Sequence, residues 1–175
     1  MTPDDPSDAG TRPEPDEPTE SPYPTDVLVS PEWVEARLDR FGTDRTDARL
    51  LEVDVNTAFY EVGHAPGAVC VDWQEELRSA DAHDILSPEE LTSFLGGCGI
   101  TNETTVVVYG DNSNWFATHL YWQLTHYGHP DVRIMDGGRE SWVEHDHPIS
   151  TDPVDPPTVT YGTTLDRPAR PDVRA

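Results

Sequence analysis

Residues 105–124, with the sequence TVVVYGDNSNWFATHLYWQL, decide the fold class of this chain. The apolar run 105–109 predicts a buried strand, and the amphipathic stretch after the loop 111–116 predicts a helix. A strand that leads through a short loop into a helix is typical of open α/β sheets, where backbone N–H groups at helix N-termini favour anions. The loop is therefore the first candidate for a functional site.

The flanking sequence repeats this alternation of strands and helices. Prolines that follow Ser30 and Ser87 mark helix starts, and paired glycines mark turns. The predicted strands are 27–29, 48–55, 68–71, 105–109 and 132–135, and the predicted helices are 31–41, 56–62 (a single turn), 88–95, 116–127 and 139–144. This order implies right-handed βαβ crossovers and a doubly wound α/β domain with a mainly parallel sheet of about five strands.

The composition is strongly acidic. The formal net charge is -23, and all 11 basic residues are arginine, with no lysine. Phosphate backbones are bound by clustered basic residues, so this composition argues against nucleic acid as a partner. Excess carboxylate without lysine resembles the proteins of salt-accumulating halophilic archaea, in which molar salt shortens the Debye length to about 3 Å and suppresses self-repulsion.

Both ends of the chain differ from its middle. Seven of the 17 prolines precede Val27, among acidic and small polar residues. We therefore expect residues 1–26 to be a disordered acidic tail, 27–150 a single domain, and the Pro-rich 151–175 an extended linker or tail. No apolar run is long enough for a membrane span and no secretion signal precedes the domain, which predicts a cytoplasmic protein.

Three short motifs occur together in one order and spacing. They are Tyr60-x-x-x-His64-x-Pro66-Gly67-Ala68, the strand and loop from Val106 to Phe116, and Asp136-Gly137-Gly138-x-x-x-Trp142. Over about residues 27–150 they resemble the rhodanese family, and more closely the two-domain thiosulfate sulfurtransferases. The resemblance implies a doubly wound domain with a five-stranded parallel sheet and helices on both faces, in agreement with the pattern of strands and helices.

The resemblance also makes Asp111-Asn112-Ser113-Asn114-Trp115-Phe116 the counterpart of the family's catalytic loop. In active members that loop begins with a cysteine, whose thiolate takes the sulfane sulfur of thiosulfate as a persulfide. Asp111 holds that position here, and a carboxylate cannot accept a sulfane sulfur, so no catalytic residue is expected. We expect the Asp111 carboxylate to accept loop N–H groups as a built-in anion and N-cap. Asp54 is expected to line the same mouth, where Asn56 and Thr57 supply no cation.

Two-domain sulfurtransferases commonly join an N-terminal domain without the cysteine to a C-terminal domain that carries it. This chain resembles that N-terminal half, as a truncated or split product or an inactive partner, with 167–173 similar to the linker into a second domain. Sulfur transfer from thiosulfate to a thiophile such as cyanide would then need a second, cysteine-bearing rhodanese domain or subunit. Trp115 and Trp122 are candidates for core or partner contacts. The alternative is a free-standing binding or regulatory module for a small anion or a protein.

A third possibility is an autonomous sulfurtransferase that uses Cys70 or Cys98. Cys98 looks the more exposed thiol, but it lies at the amino end of the sheet, and Cys70 is predicted to be a small buried hydrophobe. The pairs His126-x-x-His129 and His145-Asp146-His147 lack a clear ligand framework. We therefore expect no metal site and no cofactor.

The acidic composition leads to a first prediction, that the fold depends on salt. Lowering KCl from molar to millimolar concentration lengthens the Debye length and restores repulsion among the carboxylates. Circular dichroism is expected to show loss of secondary structure over this range, and an unchanged spectrum would contradict the prediction.

Overall fold

The computed structural model describes residues 26–79 and 85–162. Its five strands and six helices alternate along the chain. The strands are β1 (Leu28–Val29), β2 (Ala48–Asp54), β3 (Ala68–Asp72), β4 (Thr105–Gly110) and β5 (Val132–Met135). The helices are α1 (Pro31–Glu35), α2 (Ala58–Val62), α3 (Trp73–Glu76), α4 (Pro88–Gly97), α5 (Asp111–His126) and α6 (Gly138–Glu144), with a 3-10 turn at Leu38–Arg40.

The five strands form one parallel sheet in the order β1-β5-β4-β2-β3. The most apolar strand, β4, lies at the centre between β5 and β2, and Val53 of β2 is in register with Gly110 of β4. The carboxyl ends of β2 and β4 therefore meet at one edge of the sheet, where chain segments that lead into helices converge.

Hydrophobic cores lie on both faces of the sheet, because side chains alternate along each strand. Val106 and Val108 pack with α4 and α5 on one face. Val107 and Tyr109 pack with α1, α2 and α6 on the other. The predicted doubly wound α/β domain with helices on both faces is confirmed.

The first helix is shorter than predicted, since α1 ends at Glu35 rather than near Phe41. The Trp33 carbonyl accepts a hydrogen bond from the Arg37 guanidinium at 3.0 Å, and the Arg37 N–H turns instead to the Val34 carbonyl at 2.9 Å. A 3-10 turn follows and carries the Phe41 side chain into the core, where it is 1% exposed. The prediction of an inward-facing Phe41 was right, although its helix was not.

The described part of the predicted C-terminal linker, 151–162, has no helix or strand but lies against the domain. Val159 donates its N–H to the Gly96 carbonyl at 3.0 Å, and the buried Tyr161 hydroxyl is 2.8 Å from Nδ1 of His129. The predicted disorder of residues 1–26 and the remainder of the linker lie outside the described residues, apart from Asp26. Among the helices of the described chain, none is long and apolar enough to cross a membrane.

Candidate active site

The site begins where β4 ends, at Gly110. A Cβ atom there would be 1.9 Å from the carbonyl oxygen of Val53 on the neighbouring strand, so only glycine permits this close approach. The Gly110 N–H donates to Oδ1 of Asn114 at 3.0 Å, and Nδ2 of Asn114 donates to the Met135 carbonyl at 2.7 Å. One amide side chain thus ties the loop to the ends of both β4 and β5.

The predicted site loop 111–116 is a tight left-handed turn at the start of α5. Asn112, Ser113 and Asn114 have φ values of 48°, 55° and 64°. Asparagine adopts this conformation more readily than most residues, but three such residues in succession are strained, and strained backbone concentrates at functional sites. The regular part of α5 begins only after Asn114.

The Asp111 side chain is 6% exposed, and its carboxylate is held by backbone amides. The Val55 N–H lies 3.1 Å from both carboxylate oxygens, and the Asn56 N–H donates to Oδ2 at 3.3 Å. The expectation that Asp111 accepts N–H groups of its own loop as an N-cap was wrong. The donors belong to the segment after β2, because the register of β2 with β4 places residues 55 and 56 beside residue 111.

Two further carboxylates, those of Glu52 and Asp54, are fully buried beneath Asp111. Oδ1 of Asp54 accepts the Asp111 N–H at 3.0 Å, as its predicted place at this mouth suggested. Burial raises the pKa of Asp54 to about 8, and the charge of Glu52 adds to the shift. Glu52 accepts hydrogen bonds from the hydroxyl of Tyr109 and from Nη1 of Arg139.

Arg139 is the functional cation that the sequence interpretation missed. Its Nη1 lies 2.5 Å from Oε1 of Glu52, and its Nη2 donates to the Phe59 carbonyl at 2.8 Å. The signal was its position immediately after the turn Gly137-Gly138 at the carboxyl end of β5, an edge that it shares with the loop. Because Arg139 is already paired with Glu52, little of its charge is left for an anionic ligand.

A cleft of about 350 Å³ opens over Asp111. Its lining combines one aromatic and one aliphatic side chain with three carboxylates and a guanidinium: Phe59, Asp111, Arg139, Glu140, Val143 and Glu144. Trp115 of the loop lies outside this lining and is 73% exposed, whereas Phe116 stacks on Trp73 with ring centroids 4.0 Å apart. Acidic groups therefore dominate the cleft.

The family-motif residues support the loop and the core. A Cβ on Gly138 would lie 2.7 Å from Asn114 Oδ1, and one on Gly67 would lie 2.8 Å from the carbonyl oxygen of residue 41. His64 is buried, with ring nitrogens 2.8 Å from the Tyr60 carbonyl and 2.9 Å from that of Asp152. The other motif side chains play similar parts: the Ala68 carbonyl accepts the Tyr60 hydroxyl, buried Trp142 donates to the Pro148 carbonyl, and Pro66 lies half-buried in the turn.

Both cysteines line a different cleft, of about 370 Å³, away from Asp111. The predicted exposures were reversed, because Cys98 is buried and Cys70 is half-buried. Burial raises the pKa of each thiol to about 12, with nearby carboxylates adding to the effect at Cys70. Since the thiolate is the nucleophile, neither cysteine is suited to sulfur chemistry at neutral pH.

The histidine pairs are engaged separately. His129 is buried between Tyr161 and Thr104, His126 stacks on Trp122 with ring centroids 5.4 Å apart, and Nδ1 of His147 lies 2.6 Å from Glu35. Within residues 26–79 and 85–162, no group of three or more His, Cys, Asp and Glu residues is placed to hold a metal ion.

Comparisons with known proteins agree with this architecture. The sequence model of the rhodanese-like domain family matches residues 30–145. A "putative thiosulfate sulfurtransferase" of Haloferax volcanii is 48% identical over 130 residues, which are 74% of this chain and 46% of that protein. The "Sulfur carrier protein TtuD" of Thermus thermophilus is 42% identical over 127 residues, or 73% of this chain and 43% of the relative. The chain thus spans about half the length of these relatives.

Among solved structures, the 3-mercaptopyruvate sulfotransferase SseA of Escherichia coli has a similar fold. The TM-score is 0.68 at 22% identity, and the match covers 79% of this chain and 55% of that one. At this identity the likeness concerns the fold alone.

Removing the Asp111 carboxylate is expected to destabilise the domain. Asp111→Ala leaves the N–H groups of Val55 and Asn56 without their acceptor, which lowers the free energy of unfolding by about 2–4 kcal/mol. Asp111→Asn keeps one acceptor oxygen and is expected to lose about half as much. Urea unfolding in molar KCl, followed by tryptophan fluorescence, measures both, and an Asp111→Ala midpoint equal to that of the unsubstituted chain would contradict the role.

Asp54 is expected to make stability fall as pH rises. Its pKa is about 8 in the folded chain, against a model value of 3.8, so the folded state binds more protons between these two values. The free energy of unfolding therefore falls with pH across this window, by at most about 1.4 kcal/mol per pH unit. Asp54→Asn is expected to remove this slope between pH 5 and 8.

Asp47→Asn is the matched control, because hydrogen bonds from Arg40 and Arg45 lower the pKa of Asp47, so its titration lies below this window. Urea unfolding at pH 5, 6, 7 and 8 measures both variants. A slope that persists in Asp54→Asn, or disappears in Asp47→Asn, would show that Asp54 is not its source.

Proposed function

Because the chain belongs to the rhodanese-like domain family, we propose that it is the non-catalytic domain of a thiosulfate sulfurtransferase. A second rhodanese domain or subunit supplies the cysteine that carries sulfane sulfur from thiosulfate to a thiophile such as cyanide. The observation that carries the proposal is the state of Asp111. It stands in the loop where the nucleophile is expected, and the Val55 and Asn56 amides bind its carboxylate.

The chemistry of the cleft supports this division of labour. Sulfane-sulfur transfer needs a thiolate that attacks the outer sulfur of thiosulfate, forms an S–S bond and releases sulfite. The chain's two thiols lie in another cleft with raised pKa values. Glu140 and Glu144 repel a dianion, and Arg139 is paired with Glu52.

The lengths of the relatives also support a second domain. The chain spans 46% of the Haloferax volcanii relative, whose name specifies thiosulfate sulfurtransferase, and 43% of the Thermus thermophilus sulfur carrier protein. In the proposed arrangement, the remaining half of such a protein has its counterpart in a domain that acts together with this one.

A second candidate function is a free-standing binding or regulatory module. The observation that favours it is the cleft of about 350 Å³, which persists although Asp111 occupies the loop. Such a module would bind its ligand or partner without any sulfur transfer, so an activity measurement separates the two functions.

The test is thiocyanate formation from thiosulfate and cyanide in molar KCl. The chain alone is expected to produce none, and addition of a purified rhodanese domain whose loop begins with cysteine is expected to give a rate at least several-fold above that of the added domain alone. A variant carrying both Cys70→Ala and Cys98→Ala should support the same rate on mixing.

Two outcomes would count against the proposal. Activity of the chain alone that disappears in the double cysteine variant would make it an autonomous enzyme. A mixture no faster than the added domain by itself would leave the binding module as the better function.

A further inference from the structure

An arc of exposed apolar side chains borders the cleft over Asp111. It consists of Phe59, Val62, Val143 and Ile149, which are 47%, 76%, 48% and 47% exposed. Single exposed apolar residues are ordinary, but adjacent ones mark interaction surfaces. These four residues are two thirds of the large hydrophobic side chains that are exposed in the described part of the chain, the others being Trp115 and Trp122.

The four side chains are neighbours in space. Phe59 and Val143 line opposite sides of the cleft, from α2 and α6. Val62 lies one helical turn after Phe59 on α2, on the same side of the helix. Ile149 packs on the adjoining Gly63, where a Cβ would lie 2.5 Å from its Cγ2. The arc thus runs continuously from the mouth of the cleft along α2 to the segment after α6.

The centre of this surface is acidic. Glu140 and Glu144 lie between the apolar side chains, with Asp111 below them. The positive charge at this point belongs to Arg139, which is paired with Glu52. A partner that covers the arc must therefore bring a cation to the cleft or leave carboxylates desolvated without compensation, which is costly.

We propose that this arc and cleft form the docking face for a second rhodanese-like domain, which inserts an arginine or lysine side chain between Glu140 and Glu144. The inference rests on the proposed function and specifies the surface and the chemistry of its partner. An apolar rim around a paired central charge is the usual composition of a specific interface. The length of the relatives, about twice that of this chain, argues for a partner of domain size.

A second copy of this chain is a poorer occupant. Each copy has a formal net charge of -23, and a symmetric contact would bring two acidic clefts together. A partner domain with a basic residue at this point avoids that repulsion.

The experiment measures binding of the full chain to the purified cysteine-bearing rhodanese domain of the mixing assay, by sedimentation velocity in molar KCl. Val62→Glu and the double variant Glu140→Arg/Glu144→Arg are each expected to weaken binding by about tenfold or more. Trp122→Glu and Glu103→Arg alter an exposed apolar and an exposed acidic residue elsewhere, and are expected to bind as the unsubstituted chain does. Circular dichroism establishes that each variant is folded.

The outcomes separate docking from activity. The inference is overturned if the arc variants bind normally, if Trp122→Glu weakens binding as much as Val62→Glu, if no complex forms, or if the arc variants abolish a homodimer instead. A complex that the arc variants disrupt, but that yields no additional thiocyanate, leaves docking in place while the proposed function fails. Stimulated activity that the arc variants do not affect has the opposite meaning.

Discussion

The close contact between the carboxyl ends of β2 and β4 is the constraint on which the rest of this site depends. Gly110 lets the two backbones approach, and Asp111 then binds the amides of Val55 and Asn56. The same contact directs the Asp111 N–H to Asp54 and so fixes a second carboxylate under the loop. A side chain with two acceptor oxygens at position 111 is thereby part of how the strands end, as well as part of the loop.

Compensation of buried charge organises the layer beneath. Glu52 is fully buried and is satisfied by the Tyr109 hydroxyl and the Arg139 guanidinium. Asp54 has no comparable cation, and its raised pKa keeps it protonated at neutral pH, which avoids a second buried negative charge. Pairing of Arg139 with Glu52 is thus part of the stability of the sheet, and the same pairing removes the charge that an anionic substrate would need.

The sequence predicted the parts of the fold that depend on local pattern. Alternating apolar residues and the capped starts of helices at Ser30 and Ser87 gave the strands, the crossovers and the position of the site loop. It failed where distant segments meet. The donors to Asp111 follow from strand register, and the role of Arg139 follows from adjacent strand ends. The reversed exposures of Cys70 and Cys98 have the same cause, since burial depends on which elements cover a residue.

The loop keeps its shape without a nucleophile because its residues also hold the scaffold together. Asn114 bonds to the ends of β4 and β5, and Gly138 fits against both Asn114 and Gly110 with no space for a side chain. Relaxing the left-handed turn would unpair buried amides, which costs more than the strain it relieves. A strained, anion-cradle-like loop is therefore weak evidence for catalysis in this fold, and the identity of the residue at its first position carries the chemical argument.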